Sequence, residues 1–251
     1  MTELSDSELE RYARQIILPE LGGVGQKRLK QAKVVIIGAG GVGSAVIQAL
    51  AGAGVGLLRV IDDDVVDRSN LHRQPIFREE QVGQQKATLA AAFAHNLNPD
   101  IATEAVQDRV SGENAEDLIA GSDLVIDGSD NFATRLAVNE AATRLRIPLI
   151  SGAAVQFQAQ VGLFRGWEPD RPCYRCFVGD AFDSDDCDTC AERGVLGPLP
   201  GLAGSLAAIM AINWIARIGD DPAGKLHLFD AKALQWRTIR LPKDPGCRTC
   251  G

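Results

Sequence analysis

Short apolar runs of strand length alternate along this chain with longer segments of helical spacing, and that alternation decides its architecture. Strands are expected at 33–38, 57–62, 101–106, 124–127 and 149–150, the first two built on Val34–Ile37 and Leu57–Ile61. Helices are expected between them at 43–53, 84–97, 112–120 and 132–145; the second carries Ala87, Ala90, Ala91 and Ala94 and stops at Pro99. Strands alternating with helices make a parallel sheet covered on both faces. Ahead of this series, residues 5–31 read as amphipathic helix broken at Gly22-Gly23. Beyond it the period changes. From Val155 to Phe164 the residues alternate, with Val155, Phe157, Ala159, Val161 and Leu163 on one face and Gln156, Gln158 and Gln160 on the other. That is an antiparallel strand with one wet side, so the sheet is expected to turn antiparallel there. Residues 166–200, rich in Gly, Pro, Asp and Cys, are expected to form a functional loop or a metal-tied flap. An apolar helix at 202–218 and strands at 225–229 and 235–241 complete the chain.

The first strand runs into Gly38-Ala39-Gly40-Gly41-Val42-Gly43, a glycine turn that opens a helix. Such a turn suits bound phosphate: Gly38 permits the tight bend, Gly40 lets backbone approach an anion, and Gly43 lets the helix sit close to the strand. The helix N-terminus adds unpaired N–H donors and positive dipole. Asp62 ends the next strand at the spacing from which a carboxylate reaches a ribose hydroxyl, and Asp64 follows it. Ser69, Asn70, Arg73 and Lys86 fall on the same expected ligand side, where Arg73 and Lys86 can neutralise a triphosphate. Each cation taken alone reads equally well as solvated surface charge. Asp130, after the fourth strand, suits a Mg²⁺ that bridges phosphates, although Asp130 or Asn131 can instead cap the helix at Phe132.

With 251 residues, 45% of them hydrophobic, the chain can bury one substantial core, and a single unit over 1–251 is expected. A formal net charge of −7 gives no general attraction to nucleic acid or to an anionic membrane. The first residues are acidic and polar where a signal peptide is basic and then apolar, and a membrane span of about 18 apolar residues is not expected. A soluble cytoplasmic protein is the expectation. All six cysteines fall in C-x-x-C pairs: Cys173/Cys176, Cys187/Cys190 and Cys247/Cys250. Without an export signal this favours metal or redox chemistry over disulfides; two pairs make a four-thiolate zinc site and three leave one over.

Arg11-Tyr12-Ala13-Arg14-Gln15, the glycine turn, Ser69-Asn70-Leu71-His72-Arg73-Gln74, Lys86, Ser129-Asp130-Asn131, Pro172-Cys173-Tyr174-Arg175-Cys176, Gly194-Val195-Leu196-Gly197-Pro198 and Gly246-Cys247-Arg248-Thr249-Cys250-Gly251 together resemble the ThiF/MoeB/HesA family. Its members are relatives of the ubiquitin-activating enzymes that adenylate the C-terminal glycine of a small ubiquitin-like sulfur-carrier protein. The resemblance runs from about Arg11 to the last residue. It implies a Rossmann-like, doubly wound sheet, with an N-terminal helical segment (5–31), a nucleotide-binding part (33–150) and a part with antiparallel strands, flap and zinc site (151–251).

The resemblance further implies that Asp62 holds the ribose of ATP, that Gly41 and the turn contact the nucleotide, that Asn70, Arg73 and Lys86 bind phosphates and that Asp130 positions Mg²⁺. Arg14 resembles the arginine that crosses from the second subunit of a homodimer. Cys173, Cys176, Cys247 and Cys250 match the structural zinc ligands. Cys190 aligns with the cysteine that in thiamine-pathway members links covalently to the carrier, against the plainer reading of a spare thiol among Asp183, Asp185, Asp186 and Asp188. Cys187 is a departure, compatible with a Cys187/Cys190 disulfide or an alternative metal pairing. Because the sequence stops after Gly251, without a sulfur-donating rhodanese domain, sulfur is expected from a separate protein. The leading expectation is a carrier adenylyltransferase of thiamine or molybdopterin synthesis, with a slight lean to thiamine. A nicotinamide-dependent dehydrogenase, to which the glycine turn and Asp62 apply equally, and a non-catalytic scaffold for ubiquitin-like partners are the alternatives.

Overall fold

The computed structural model describes residues 3–180 and 194–251; Cys187 and Cys190 lie outside them. Its strands are β1 Lys33–Ile37, β2 Leu57–Ile61, β3 Ala102–Val106, β4 Leu124–Asp127, β5 Leu149–Val155, β6 Gln158–Phe164, β7 Lys225–Asp230 and β8 Gln235–Arg240. They form one sheet in the order β3-β2-β1-β4-β5-β6-β7-β8. Pairing is parallel from β3 across to β5 and antiparallel from β5 to β8, as the change of period predicts. The helices are α1 Asp6–Arg11, α2 Ala13–Ile16, α3 Gly22–Gln31, α4 Gly41–Ala53, α5 Lys86–Leu97, α6 Ala115–Ile119, α7 Phe132–Leu145, α8 Tyr174–Val178 and α9 Pro198–Ala216.

Alternate residues of each central strand serve opposite cores, because successive side chains point to opposite faces. Val34 and Ile36 pack with Val46, Leu50, Leu58 and Ala207 beneath α4, α5 and α9. Val35 and Ile37 pack with Ile119, Val125, Val138 and Leu149 beneath α6 and α7. Burial on both faces is why these strands read as unbroken apolar runs.

Three expectations are corrected. The single strand over 155–164 is a hairpin: β5 extends to Val155, which pairs with Gln158, so the two share a face. Gln156 adopts φ 51° at the turn and Phe157 is exposed. Neither residue carries the Asn-Gly or Gly signal that usually announces such a bend. The apolar helix begins at Pro198 rather than 202, since proline at the first helical positions loses no hydrogen bond. The N-terminal segment breaks at Tyr12 and again before α3, which Gly22-Gly23 open rather than interrupt.

α9 also corrects the expectation about apolar length: by length and composition alone it is long and apolar enough to cross a membrane, yet half of its most apolar window is buried. Its small residues explain why. Ala203, Ala207, Ala208 and Ala211 are buried, and a Cβ at Gly204 would collide with the Val42 carbonyl of α4, so at Gly204 the two helices approach backbone to backbone. This close packing places Pro200 of α9 over Gly41 at the mouth of the glycine turn.

Candidate nucleotide site and four-cysteine centre

The order of the sheet reverses between β1 and β4, and open α/β sheets place ligands in the crevice beyond such a switch point. Gly38 turns the chain there with φ 84°, and a Cβ at Gly43 would collide with the Gly38 carbonyl, so α4 starts directly on the strand end. Gly40 caps α4 without any side-chain hydrogen bond, which leaves the first-turn N–H groups to a ligand. A cavity of about 510 Å³ opens on this turn. Gly38, Gly40, Gly41, Asp62, Asp64, Ser69, Asn70, Arg73, Lys86 and Asp130 all line it, although they come from five separate stretches of sequence.

Within the cavity the charges are arranged for anions. Lys86 at the start of α5 is 95% covered, being only 5% exposed, and its ammonium donates to Asp64 at 2.8 Å. Asp62 accepts the Ala39 N–H at 2.7 Å and the Asp64 N–H at 2.9 Å, which fixes the carboxylate beside the glycine turn. Burial pushes the Asp62 carboxyl up, and Lys86 with those two amides pulls in the opposite direction. Arg73 is held by its contact with the Ser69 carbonyl at 2.9 Å. Asn70 spends its carboxamide oxygen on the Asp67 N–H.

The choice between capping and metal binding at the end of β4 divides between neighbours. Asn131 is the cap, accepting the Thr134 N–H at 2.8 Å, so it does not line the main cavity. Asp130 is left exposed at the cavity wall, a carboxylate of the kind that can hold hydrated Mg²⁺. Asn131 borders a smaller adjoining space of about 140 Å³ with Asp62 and Arg109. Arg14 stands apart: it is exposed on α2 and lines neither space.

Two residues absent from the sequence-based set belong here. Gln74 is buried against the cavity with its Oε1 lacking a partner among the described residues. It closes the Ser69–Gln74 motif and was readable there. Arg135 is buried one turn into α7, where it donates to Ser151 Oγ at 2.9 Å and to the carbonyls of Gly152 and Ser129. A lone arginine in a helix reads as surface charge, so only the fold reveals it. Arg135, Asp130 and Ala153 also line a groove of about 170 Å³ that leads along β5–β8 past Gln158 and Phe229 to Gln235.

At α8 the four cysteines Cys173, Cys176, Cys247 and Cys250 meet, all Sγ atoms within 4.8 Å of one another. Three of the separations are 3.4 Å, 3.6 Å and 3.9 Å. A tetrahedral zinc with Zn–S near 2.3 Å needs about 3.8 Å between sulfurs, so the cluster fits that metal. Burial pushes the Cys173 thiol up and Cys250 up to about 11. At Cys247 burial acts the same way but is outweighed by the Thr249 and Cys250 N–H groups, which hold it low.

Fold and crevice define an α/β protein built around a nucleotide-type glycine turn. The chain belongs to the ThiF family, whose model matches residues 12–249. It is 43% identical over 248 residues to the SAMP-activating enzyme E1 of Haloferax volcanii, covering 99% of this chain and 91% of that one. It is 42% identical to the molybdopterin-synthase adenylyltransferase of Salmonella typhimurium over the full length of both. The crystal structure of E. coli MccB with ATP superposes with a TM-score of 0.82 at 25% identity, covering 96% of this chain and 74% of that one. The names of such relatives place the chain among adenylyltransferases.

Proposed function

We propose that this protein adenylates the C-terminal glycine of a ubiquitin-like sulfur-carrier protein of the kind used in thiamine or molybdopterin synthesis, consuming ATP and releasing pyrophosphate. The observation that carries this reading is the wall shared by two cavities. Asp130, Arg135 and Ala153 face both the cation-lined space at the glycine turn and the narrow groove along β5–β8. A nucleotide in the first and a thin peptide tail in the second would meet at that wall.

The chemistry follows from charge. A carrier carboxylate oxygen attacks the α-phosphorus, the bond from that phosphorus to the bridging oxygen of the β-phosphate breaks, and the electron pair leaves with pyrophosphate. The nucleophile is already ionised, so no general base is needed. The obstacle is anion meeting anion, and Lys86, Arg73 and the α4 N-terminus neutralise the phosphates while Asp62 orients the ribose. Asp130 would hold Mg²⁺, which when bound adds positive charge between the phosphates. Ile17, Leu18 and Val24 are exposed near Arg14 in the sequence, and in a homodimer formed there Arg14 would be supplied to the crevice of the partner. The carrier body would rest where Leu234 is 77% and Trp236 48% exposed on the β7–β8 hairpin, at the outer end of the groove. Cys173, Cys176, Cys247 and Cys250 would hold zinc, which when bound ties the C-terminus to α8. Sulfur for the activated carrier comes from a separate donor protein. Cys190 is the residue to test for a covalent link: Cys190→Ala will still adenylate the carrier and will fail, if at all, only in thiocarboxylate formation. Incubation with ATP and each candidate carrier, followed by weighing of the carrier, identifies the substrate; a carrier that never gains mass refutes the proposal.

A further inference from the structure

His72 and Arg73 stand just beyond the tight turn Arg68–Asn70, and both line the cavity at the glycine turn. The backbone is held first: the Arg73 N–H donates to the Asn70 carbonyl at 3.0 Å, which leaves the long side chain to be placed by other contacts. One guanidinium nitrogen, Nη1, donates to the Ser69 carbonyl at 2.9 Å and meets Nε2 of the His72 ring at 3.0 Å. A guanidinium has only donors, so the ring nitrogen that faces it must accept. Only the neutral ring with its proton on Nδ1 can do so; an imidazolium offers two donors and sets a like charge beside Arg73. The Nδ1 edge packs against Gly197, just ahead of α9, where a Cβ would stand 3.1 Å from Nδ1 and 3.1 Å from the His72 carbonyl oxygen. The ring therefore sits between the guanidinium and a loop that carries no side chain at that point. With Nη1 engaged by Ser69 and His72, Nη2 and Nε remain, the pair of donors that grips a phosphate bidentately.

We infer that His72 is a positioning residue for nucleotide binding: the lone pair on its Nε2 sets the Arg73 guanidinium in place before the phosphates arrive. The inference rests on the phosphate role proposed above for Arg73. An arginine side chain free to sample its rotamers loses that freedom when a ligand fixes it, and a contact made in advance removes part of the cost. Loss of the ring acceptor should therefore appear in nucleotide affinity, and only while Arg73 is present.

Calorimetric titration of the full chain with ATP and Mg²⁺, with no carrier present, tests this. His72→Leu removes the lone pair at similar bulk and should weaken ATP binding about five- to tenfold, whereas His72→Gln, whose carboxamide oxygen restores an acceptor, should stay within about threefold of wild type. In the Arg73→Ala background His72→Leu should weaken binding no further, because its effect runs through Arg73. An affinity within about twofold of wild type in His72→Leu, or an equal loss in both backgrounds, would overturn the inference. A second measurement uses wild-type protein and so survives a variant that fails to fold. Long-range ¹H–¹⁵N spectra show which ring nitrogen carries the proton in each of the three histidines. The neutral His72 ring should carry it on Nδ1; a proton on Nε2 contradicts the proposal. If wild-type protein binds no ATP at all, the nucleotide reading has failed and takes this inference with it, an outcome distinct from ATP binding that His72→Leu leaves untouched.

Discussion

The parallel and antiparallel halves of the sheet use the same strand chemistry for opposite ends. At β1 and β4 both faces are buried, and polar side chains gather beyond the strand ends, where Asp62, Lys86, Arg73 and Asp130 meet from distant parts of the sequence. Toward β8 the cover falls away: β6 and β7 still pack into both cores, whereas β8 has no buried residue. Its exposed side chains are apolar as often as charged, as with Trp236 and Ile239. The contrast teaches that binding energy for a small, highly charged ligand comes from a few oriented charges on a rigid frame, whereas recognition of a macromolecule comes from exposed apolar area. Under the proposed function, chemistry falls to the parallel half and partner choice to the antiparallel half.

Substitutions on either side should separate these roles. Lys86→Ala should give the largest effect on turnover, lowering carrier-dependent exchange of pyrophosphate into ATP by about 10²–10³-fold, or roughly 3–4 kcal/mol of transition-state stabilisation, with an unchanged circular dichroism spectrum. Near-normal exchange would remove phosphate neutralisation from the account. Cys247→Ser should lower the melting temperature by on the order of 10 °C, roughly 3 kcal/mol, and chelation of wild-type protein should reproduce the loss. A metal-free protein of unaltered stability would contradict the four-cysteine assignment. Trp236→Ala belongs to the other half: KM for the carrier should rise about tenfold, with kcat and the KM for ATP unchanged. A fall in kcat instead would merge the two regions.

The smallest effect expected is one of pH. The Asp62 carboxyl is raised by burial, and in the proposed nucleotide complex its ionised form would accept the ribose hydroxyls. Nucleotide affinity should therefore be full above the raised value and fall as pH drops through it, starting at higher pH than an ordinary carboxylate would give. The same raised value makes the ionised group a cost to folding, so its contribution to stability is greatest at low pH and is lost as pH rises through the folded value. Titration of nucleotide affinity in wild type and Asp62→Asn checks the first statement; identical profiles would sink it.

How far the sequence could be read followed the physics of each region. Glycine turns and strand ends are local signals that pointed to Gly38, Gly43 and Asp62, whereas C-x-x-C spacing gave three cysteine pairs and only the resemblance selected Cys173, Cys176, Cys247 and Cys250. The glycine turn and Asp62 suited a dehydrogenase equally well, and it is membership of the ThiF family that decides between the two. Arg135 was out of reach because its burial depends on β5 backbone carbonyls that only the folded sheet brings beneath α7. The hairpin at Gln156 escaped because its turn residues are not turn formers, and an alternating pattern continues through it in sequence although not in space.

The account rests on the meeting of a nucleotide and a peptide carboxylate at the wall between the two cavities, and isotope exchange reads that encounter directly. With labelled pyrophosphate, ATP and a ubiquitin-like carrier ending in a free glycine, label should enter ATP, and the same carrier with an amidated C-terminus should give none. Label entering ATP at the same rate with the amidated carrier, or with no carrier present, would contradict the account.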